Sequence, residues 1–278
     1  MSISELSEWV RCPNCFLALE PVAERTLGCA AGHRFDLHRH GYATLLPPRA
    51  PAHHGDTREM LAARELVLGG GVYEPIVDAV VALASHSLGG AAPARLIDFG
   101  CGTGHYARAV TAAAAQGAQV LFTDRSPAAV RWSTLALPDA SGVVLDVWAP
   151  LPIRDGVADL ALDVFAPRNP AEFARVLRAD GRVVVVVPRA SHLAELRAGG
   201  GMLNVPEGKA EGVAAQFAPF FELASTRSVE AEVVFSAEQA AATRGMGPAG
   251  HHELERRSES EPVTATLAVD VLAFQRRA

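Results

Sequence analysis

The chain has 278 residues, of which 49% are hydrophobic and 20% charged, and its formal net charge is -6. This balance excludes a disordered chain, a collagen and a coiled coil, and no apolar run approaches the roughly 18 residues that a bilayer crossing needs. Net acidity argues against a protein that coats nucleic acid non-specifically, since that binding rests on many neutralised phosphates, but it leaves room for a local basic site. Lys209 is the single lysine and every other basic side chain is arginine, a usage that suits phosphate forks and that a GC-rich coding bias would also produce.

The length predicts one full-sized domain with a smaller piece attached, and residues 1–46 read as the smaller piece. Cys12-Pro13-Asn14-Cys15 is followed, after thirteen residues, by Cys29 and then by His33. A CxxC turn offers two thiolates to one ion, and the second knuckle adds a sulfur and an imidazole. The pattern predicts a closed tetrahedral zinc site with Cys12, Cys15, Cys29 and His33 as ligands. A redox pair or buried free thiols are the alternatives, but no βαβ pattern precedes the cysteines and cytosolic chains seldom keep structural disulfides. With four protein ligands the zinc is expected to be structural and to supply the folding energy of so short a segment, so its loss should melt the head and spare the rest. Acids and cysteines stand where a secretory signal would carry basic and apolar residues, which predicts a cytoplasmic protein. Arg34, His38, Arg39 and His40 then form a basic edge opposed only by Asp36, suited to nucleic acid and equally to a solvated face.

Pro47 to Gly55 is proline-rich, predicts an extended joint, and opens a stretch of linker and lead-in helices over 47–90. Asp56 with Glu59 reads as a capping-box-like start to a helix carrying Met60, Leu61, Leu66 and Leu68, which Gly69 to Gly71 stop. Arg64 on this helix faces either substrate or solvent. Pro75 opens a second helix that runs to Leu88.

The main domain is expected over 91–278. The strand Leu96-Ile97-Asp98-Phe99 runs into Gly100-Cys101-Gly102-Thr103-Gly104 and a helix from Tyr106 to Ala115, the opening βα unit of a doubly wound sheet. The glycines let a ligand lie against backbone where a Cβ would obstruct it. A second strand, Gln119 to Thr123, ends in Asp124, placed to accept ribose hydroxyls. A third, Val143 to Trp148, carries Asp146 for an adenine amino group and an aromatic for the adenine face. An acid at Asp98 would repel a pyrophosphate and favour the cationic end of S-adenosylmethionine. The combination predicts S-adenosylmethionine over NAD, with Asp98, Gly100, Gly102, Thr103, Gly104, His105, Asp124, Asp146 and Val147 as cofactor-binding residues. Cys101 is expected to pack as a small residue.

A fourth strand, Asp159 to Phe165, leads to Ala166-Pro167-Arg168-Asn169-Pro170, a helix through Arg178, a turn at Asp180-Gly181 and the buried strand Val183 to Val187. Ligands of such a sheet lie beyond the carboxyl ends of its strands. The Ala166–Pro170 loop is therefore the expected seat of a methyl acceptor, with Arg168 and Asn169 as catalytic donors; the facing of Asp163 is left open. Ser228 to Phe235 and Thr264 to Phe274 alternate as antiparallel strands. The fold class is α/β: a Rossmann-like, seven-stranded class I methyltransferase domain with a small N-terminal zinc-binding domain.

These residues resemble the RlmA-type 23S ribosomal RNA guanine-N1 methyltransferases, and their TlrB-type macrolide-resistance branch most closely. The resemblance is carried by Cys12-Pro13-Asn14-Cys15, Cys29 with Gly32-His33-Arg34-Phe35-Asp36, Gly41-Tyr42, Glu59-Met60, Ala63-Arg64, Asp98 to Gly104, Asp146-Val147-Trp148, Val164 to Pro170 and His192 to Leu196, in one order along the chain. It implies a structural zinc domain that helps to grip a 23S rRNA hairpin loop, methyl transfer from S-adenosylmethionine to guanine N1, a homodimer and, in the resistance branch, protection against a macrolide. One departure follows Pro248, where relatives carry a tryptophan and this chain has Ala249, Gly250 and two histidines. Two other readings stand beside it: methylation of a small natural product with the head as a lid or oligomerisation piece, and a zinc-headed RNA-binding module without catalysis.

Overall fold

The computed structural model describes residues 2–47, 55–90, 93–200, 202–246 and 261–277; the expected extended joint at Pro48 to His54 and the departure after Pro248 lie outside them. Ser2 and Glu5 cap a short helix, α1 (Ile3–Ser7), reciprocally. An antiparallel meander follows: β1 (Glu20–Ala23), β2 (Thr26–Gly28), β3 (Arg34–His38) and β4 (Tyr42–Thr44). Helices α2 (Arg58–Gly69) and α3 (Glu74–Ala84) come next. The cap of α2 is Thr57, whose hydroxyl accepts from the Met60 amide, rather than Asp56, whose carboxylate pairs instead with Arg64.

The chain then alternates: β5 (Ala94–Phe99), α4 (His105–Ala113), β6 (Ala118–Asp124), α5 (Pro127–Ala136), β7 (Ser141–Val144), β8 (Ala158–Val164), α6 (Pro170–Val176) and β9 (Leu177–Pro188). It finishes with α7 (Ala194–Ala198), α8 (Lys209–Phe217), β10 (Phe221–Phe235), α9 (Ala237–Gly245) and β11 (Val263–Arg276). Several boundaries differ from expectation: α3 ends at Ala84 rather than Leu88, α6 at Val176 rather than Arg178, and β10 begins at Phe221 rather than Ser228. β7 ends at Val144, leaving Asp146 to Trp148 in the loop beyond it. The predicted turn at Asp180-Gly181 is absorbed within β9, whose register against β8 shifts between the Leu177 and Arg182 pairings.

The strand order is β1-β2-β3-β4-β7-β6-β5-β8-β9-β11-β10. Neighbours from β4 to β9 are parallel, and β11 and β10 close the edge antiparallel. β5 has β6 on one side and β8 on the other, so the order reverses there, and a doubly wound sheet opens its ligand crevice beyond such a point. The seven strands expected of the main domain are β5 to β11. The head continues their sheet, because β4 pairs in parallel with β7, Tyr42 opposite Gly142 and Thr44 opposite Val144. A Cβ on Gly142 would lie 2.6 Å from Val130 and 2.8 Å from the Tyr42 Cβ, so this seam closes only around a glycine.

Period-two alternation divides the core between the two faces. Leu96, Leu160, Val184 and Leu267 pack under Ile76, Val80 and Val110 on one face. On the other, Ile97, Phe99, Val183 and Val185 meet Phe173 and Phe217, and the same cluster runs on through Leu6, Trp9, Leu19, Leu27 and the metal-knuckle residues Cys12 and Cys29. Arg95 of β5 lies 4.0 Å over the Trp9 ring, and Arg154 donates to the Val10 and Leu19 carbonyls. The head thus shares its apolar interior with the larger sheet.

Candidate functional site

In the head, each knuckle is a tight turn. Phe16 N donates to the Cys12 carbonyl and Gly32 N to the Cys29 carbonyl, with Gly32 at φ +89°. The donor atoms of Cys12, Cys15, Cys29 and His33 all lie within 4.8 Å of one another. His33 Nδ1 is 3.5, 3.6 and 3.4 Å from the sulfurs of Cys12, Cys15 and Cys29, and Cys15 Sγ is 3.7 Å from Cys29 Sγ. A zinc tetrahedron with bonds of about 2.3 Å to sulfur and about 2.0–2.1 Å to nitrogen has edges of about 3.5–3.8 Å. The donor set fits zinc and leaves no coordination position open for Lewis-acid chemistry, so the site is structural.

The glycine loop leaves the carboxyl end of β5. Its Gly100 and Cys101 amides both donate to the Thr123 carbonyl, at 2.8 and 3.0 Å, tying it to β6. Gly100, Gly102 and Gly104 take φ of +69°, +54° and +73°, and neighbours press on each of them. A Cβ would meet Ala166 at 2.6 Å, Arg64 Nη1 at 2.7 Å and the Phe122 ring at 2.9 Å respectively. Asp124, at the end of β6, accepts from Gly102 N at 3.2 Å and Ser126 N at 2.8 Å; burial raises its pKa to about 6. Asp98 is 3% exposed, and burial, then the charges of Asp124 and Asp163, lift its pKa to about 8. The Thr103 hydroxyl and His105 Nε2 are buried without hydrogen-bond partners. A loop flanked by a carboxyl that favours a cation and by unpartnered polar atoms fits the methionine and ribose ends of S-adenosylmethionine.

Asp146 pairs with Arg125 and accepts from Trp148 N at 3.1 Å, and the Val147 carbonyl accepts from Asn169 Nδ2 at 3.0 Å. Trp148, expected at the end of a strand and against an adenine face, lies in the loop beyond β7 and is 68% exposed. Cys101 packs as expected: it is buried, and Ser133 Oγ donates to its sulfur at 3.3 Å.

On the acceptor side, Phe165 takes φ +55° at the end of β8, a strained backbone of the kind that collects at working sites. Asn169 spends its amide on Val147 and its Oδ1 on the Glu172 amide, capping α6. Arg168 Nη2 donates to the Ala166 carbonyl at 3.0 Å, and its Nε lies 3.8 Å from Asp163. Asp163 is fully buried, neither carboxylate oxygen has a hydrogen-bond partner, and burial lifts its pKa to about 7. His192, which the resemblance included without a role, approaches from the loop after β9. Its Nδ1 accepts from Ala268 N at 3.2 Å, its ring stacks 5.8 Å from Phe165 and meets Tyr73 edge-on at 6.3 Å, and burial drops its pKa to about 4. The imidazole is neutral, with its proton on Nε2.

Between head and sheet, a cavity of about 1200 Å³ is lined by Arg39, His38 and Tyr42 of the head and by Arg58, Arg125, Arg131 and Trp132. Burial and then the Arg39 and Arg131 charges push the His38 pKa down, and Asp56 is the one acid among the lining residues.

The switch-point cradle and its acids define a class I, S-adenosylmethionine-dependent methyltransferase, here joined to a structural zinc ribbon. Comparison with known families agrees: residues 10–50 match the RlmA N-terminal zinc-ribbon model and residues 97–185 a methyltransferase-domain model. A 23S rRNA (guanine(748)-N(1))-methyltransferase of Streptomyces fradiae is 40% identical over 91% of both chains. A Micromonospora griseorubida protein, named only provisionally as a 23S rRNA guanine-N1 methyltransferase, is 37% identical over 98% of both. The solved structure of the MccD protein superposes with a TM-score of 0.50 at 14% identity, covering 71% of this chain and 96% of that one, a likeness of fold alone. The chain belongs to the RlmA-type 23S rRNA (guanine-N1)-methyltransferase family.

Proposed function

We propose that the protein transfers the methyl group of S-adenosylmethionine to N1 of a guanine in a hairpin loop of 23S rRNA. The observation that carries this reading is the identity with the Streptomyces fradiae enzyme through both the zinc ribbon and the methyltransferase domain. The domain division at 1–46, 47–90 and 91–278 belongs to the same reading.

Bound S-adenosylmethionine supplies the electrophilic methyl group. Asp98 holds the methionine ammonium, Asp124 the ribose hydroxyls and Asp146 with Val147 the adenine, while Gly100, Gly102, Thr103, Gly104 and His105 form the floor. Guanine N1 carries a proton at neutral pH that must pass to water as the N1–methyl bond forms, and removing it costs very roughly 2–3 kcal/mol if its pKa lies about two units above the medium. Arg168 is the donor for the negative charge that gathers on O6, with buried Asp163 behind it. Asn169 serves chiefly to hold this loop, given its two structural bonds. The arginine-lined cavity at the seam suits the phosphates of the hairpin, and Trp132 and Tyr42 give it aromatic walls. A loop guanine costs only a few kcal/mol to turn out of its stack.

The test is reverse transcription of 23S rRNA incubated with protein and cofactor. A stop at one guanine is expected, because a methyl on N1 blocks Watson–Crick pairing. Read-through at every guanine, with the cofactor consumed on a small molecule, would overturn the reading. It carries with it a cytoplasmic homodimer and protection against a macrolide, which light scattering and drug susceptibility of an expressing strain would test.

A further inference from the structure

We propose that Arg64 grips the carboxylate of the methionine end of S-adenosylmethionine, and that Asp56 occupies that guanidinium as a stand-in carboxylate until the cofactor arrives. The proposal rests on the cofactor reading of the glycine loop. That ligand end carries two opposite charges on one carbon. Asp98 answers the ammonium, and the carboxylate needs a cation on the same stretch of backbone.

Arg64 is where such a cation has to be. Its Nη1 lies so close to Gly102 that a Cβ there would be 2.7 Å away, so the guanidinium rests on the loop itself. Its place is fixed from behind: Glu65, the next residue of α2, holds Arg108 of α4 at 3.1 and 3.3 Å, locking α2 to the helix that follows the loop. The fork is already engaged in the way a carboxylate would engage it. Nη1 pairs with the Asp56 carboxylate and Nη2 donates to the Met246 carbonyl at 2.9 Å. Asp56 is tied in turn to the ribose side of the crevice, since its backbone carbonyl accepts from Ser126 Oγ at 2.7 Å. A guanidinium recognises a carboxylate through a planar pair of N–H donors; the exchange keeps the guanidinium paired and releases the Asp56 carboxylate, whose side chain is 20% exposed, to water.

A binding cycle on the full-length, zinc-loaded protein separates this role from a purely structural strut. Calorimetry would measure S-adenosylmethionine, its decarboxylated analogue and 5′-methylthioadenosine, which lacks the amino-acid end. Wild type is expected to bind the decarboxylated analogue about 10- to 100-fold more weakly than S-adenosylmethionine, the range of a charged hydrogen bond. Arg64→Gln should bind S-adenosylmethionine weakly and lose that preference, while 5′-methylthioadenosine affinity stays within about two-fold, by contrast with the charged bond lost. Arg64→Lys, which keeps the charge without the fork, should retain an intermediate preference and serves if Arg64→Gln fails to fold. Asp56→Asn should bind S-adenosylmethionine more tightly. An undiminished preference in either Arg64 variant would overturn the assignment, whereas wild type that binds none of the three ligands would instead bring down the cofactor reading.

Discussion

The zinc centre and the cofactor cradle are built on opposite plans. All four metal donors come from one stretch between Cys12 and His33 and already stand at tetrahedral spacing. The cradle draws Arg64 from α2, Asp98 from β5, Asp124 from β6 and Ala166 from the loop after β8, and burial raises the pKa of both acids, Asp98 to about 8 and Asp124 to about 6. A closed structural site is completed by local turns, whereas a binding site is assembled by crossovers and left electrostatically unfinished for its ligand to complete.

The largest expected effect tests the metal side. Cys15→Ser should lose stoichiometric zinc, whose binding is worth on the order of 10 kcal/mol in small zinc domains. The separate melting of the head expected from the sequence gives way here to one lowered transition for the whole chain, because Cys12 and Cys29 pack in the same core as Leu121 and Val185. Calorimetry showing an unmoved second transition would restore independent domains, and unchanged zinc by elemental analysis would remove the site.

The cradle responds next. Asp98→Asn and Asp124→Ala should each weaken S-adenosylmethionine by about 1.5–3 kcal/mol, as loss of charged hydrogen bonds does. Asp98 adds a sign. With its pKa raised to about 8, it is mostly protonated at pH 7, and a bound ammonium favours the ionised form. Binding should therefore release a proton, and affinity should fall as pH drops below 8. Titrations at pH 7 in buffers of different ionisation enthalpy would read that proton in wild type and not in Asp98→Asn; equal heats would clear Asp98 of the role. Smallest is the seam: Arg39→Ala and Arg131→Ala should each flatten the salt dependence of RNA binding by about one phosphate contact, with cofactor affinity unmoved. An unchanged slope would place the hairpin elsewhere.

The contrast also explains what the sequence made legible. Ligand spacing is local, so Cys12, Cys15, Cys29 and His33 could be read directly, and so could the strand, glycine turn and helix of the first βα unit. The pairing of β4 with β7 could not, because three residues from Tyr42 to Thr44 carry too little pattern to announce a partner about a hundred residues on. Trp148 was misplaced because apolar alternation continued past the residue where the ladder hydrogen bonds stop. Asn169, expected as a donor to substrate, also caps α6 through its Oδ1, a local role that the sequence reading did not single out. His192 belonged to the resemblance but was given no role, for a different reason: only the folding back of the loop after β9 brings it beside Phe165.

The strand β4 of the metal-bearing head pairs with β7, and through β7 and β6 joins the strand beneath the glycine turn. That pairing spans the two ends of the molecule like the beam of a caliper. If the head grips the rRNA as proposed, its distance from the methyl donor is set by that pairing, and the length of the nucleic acid, as much as its bases, becomes a quantity the enzyme measures.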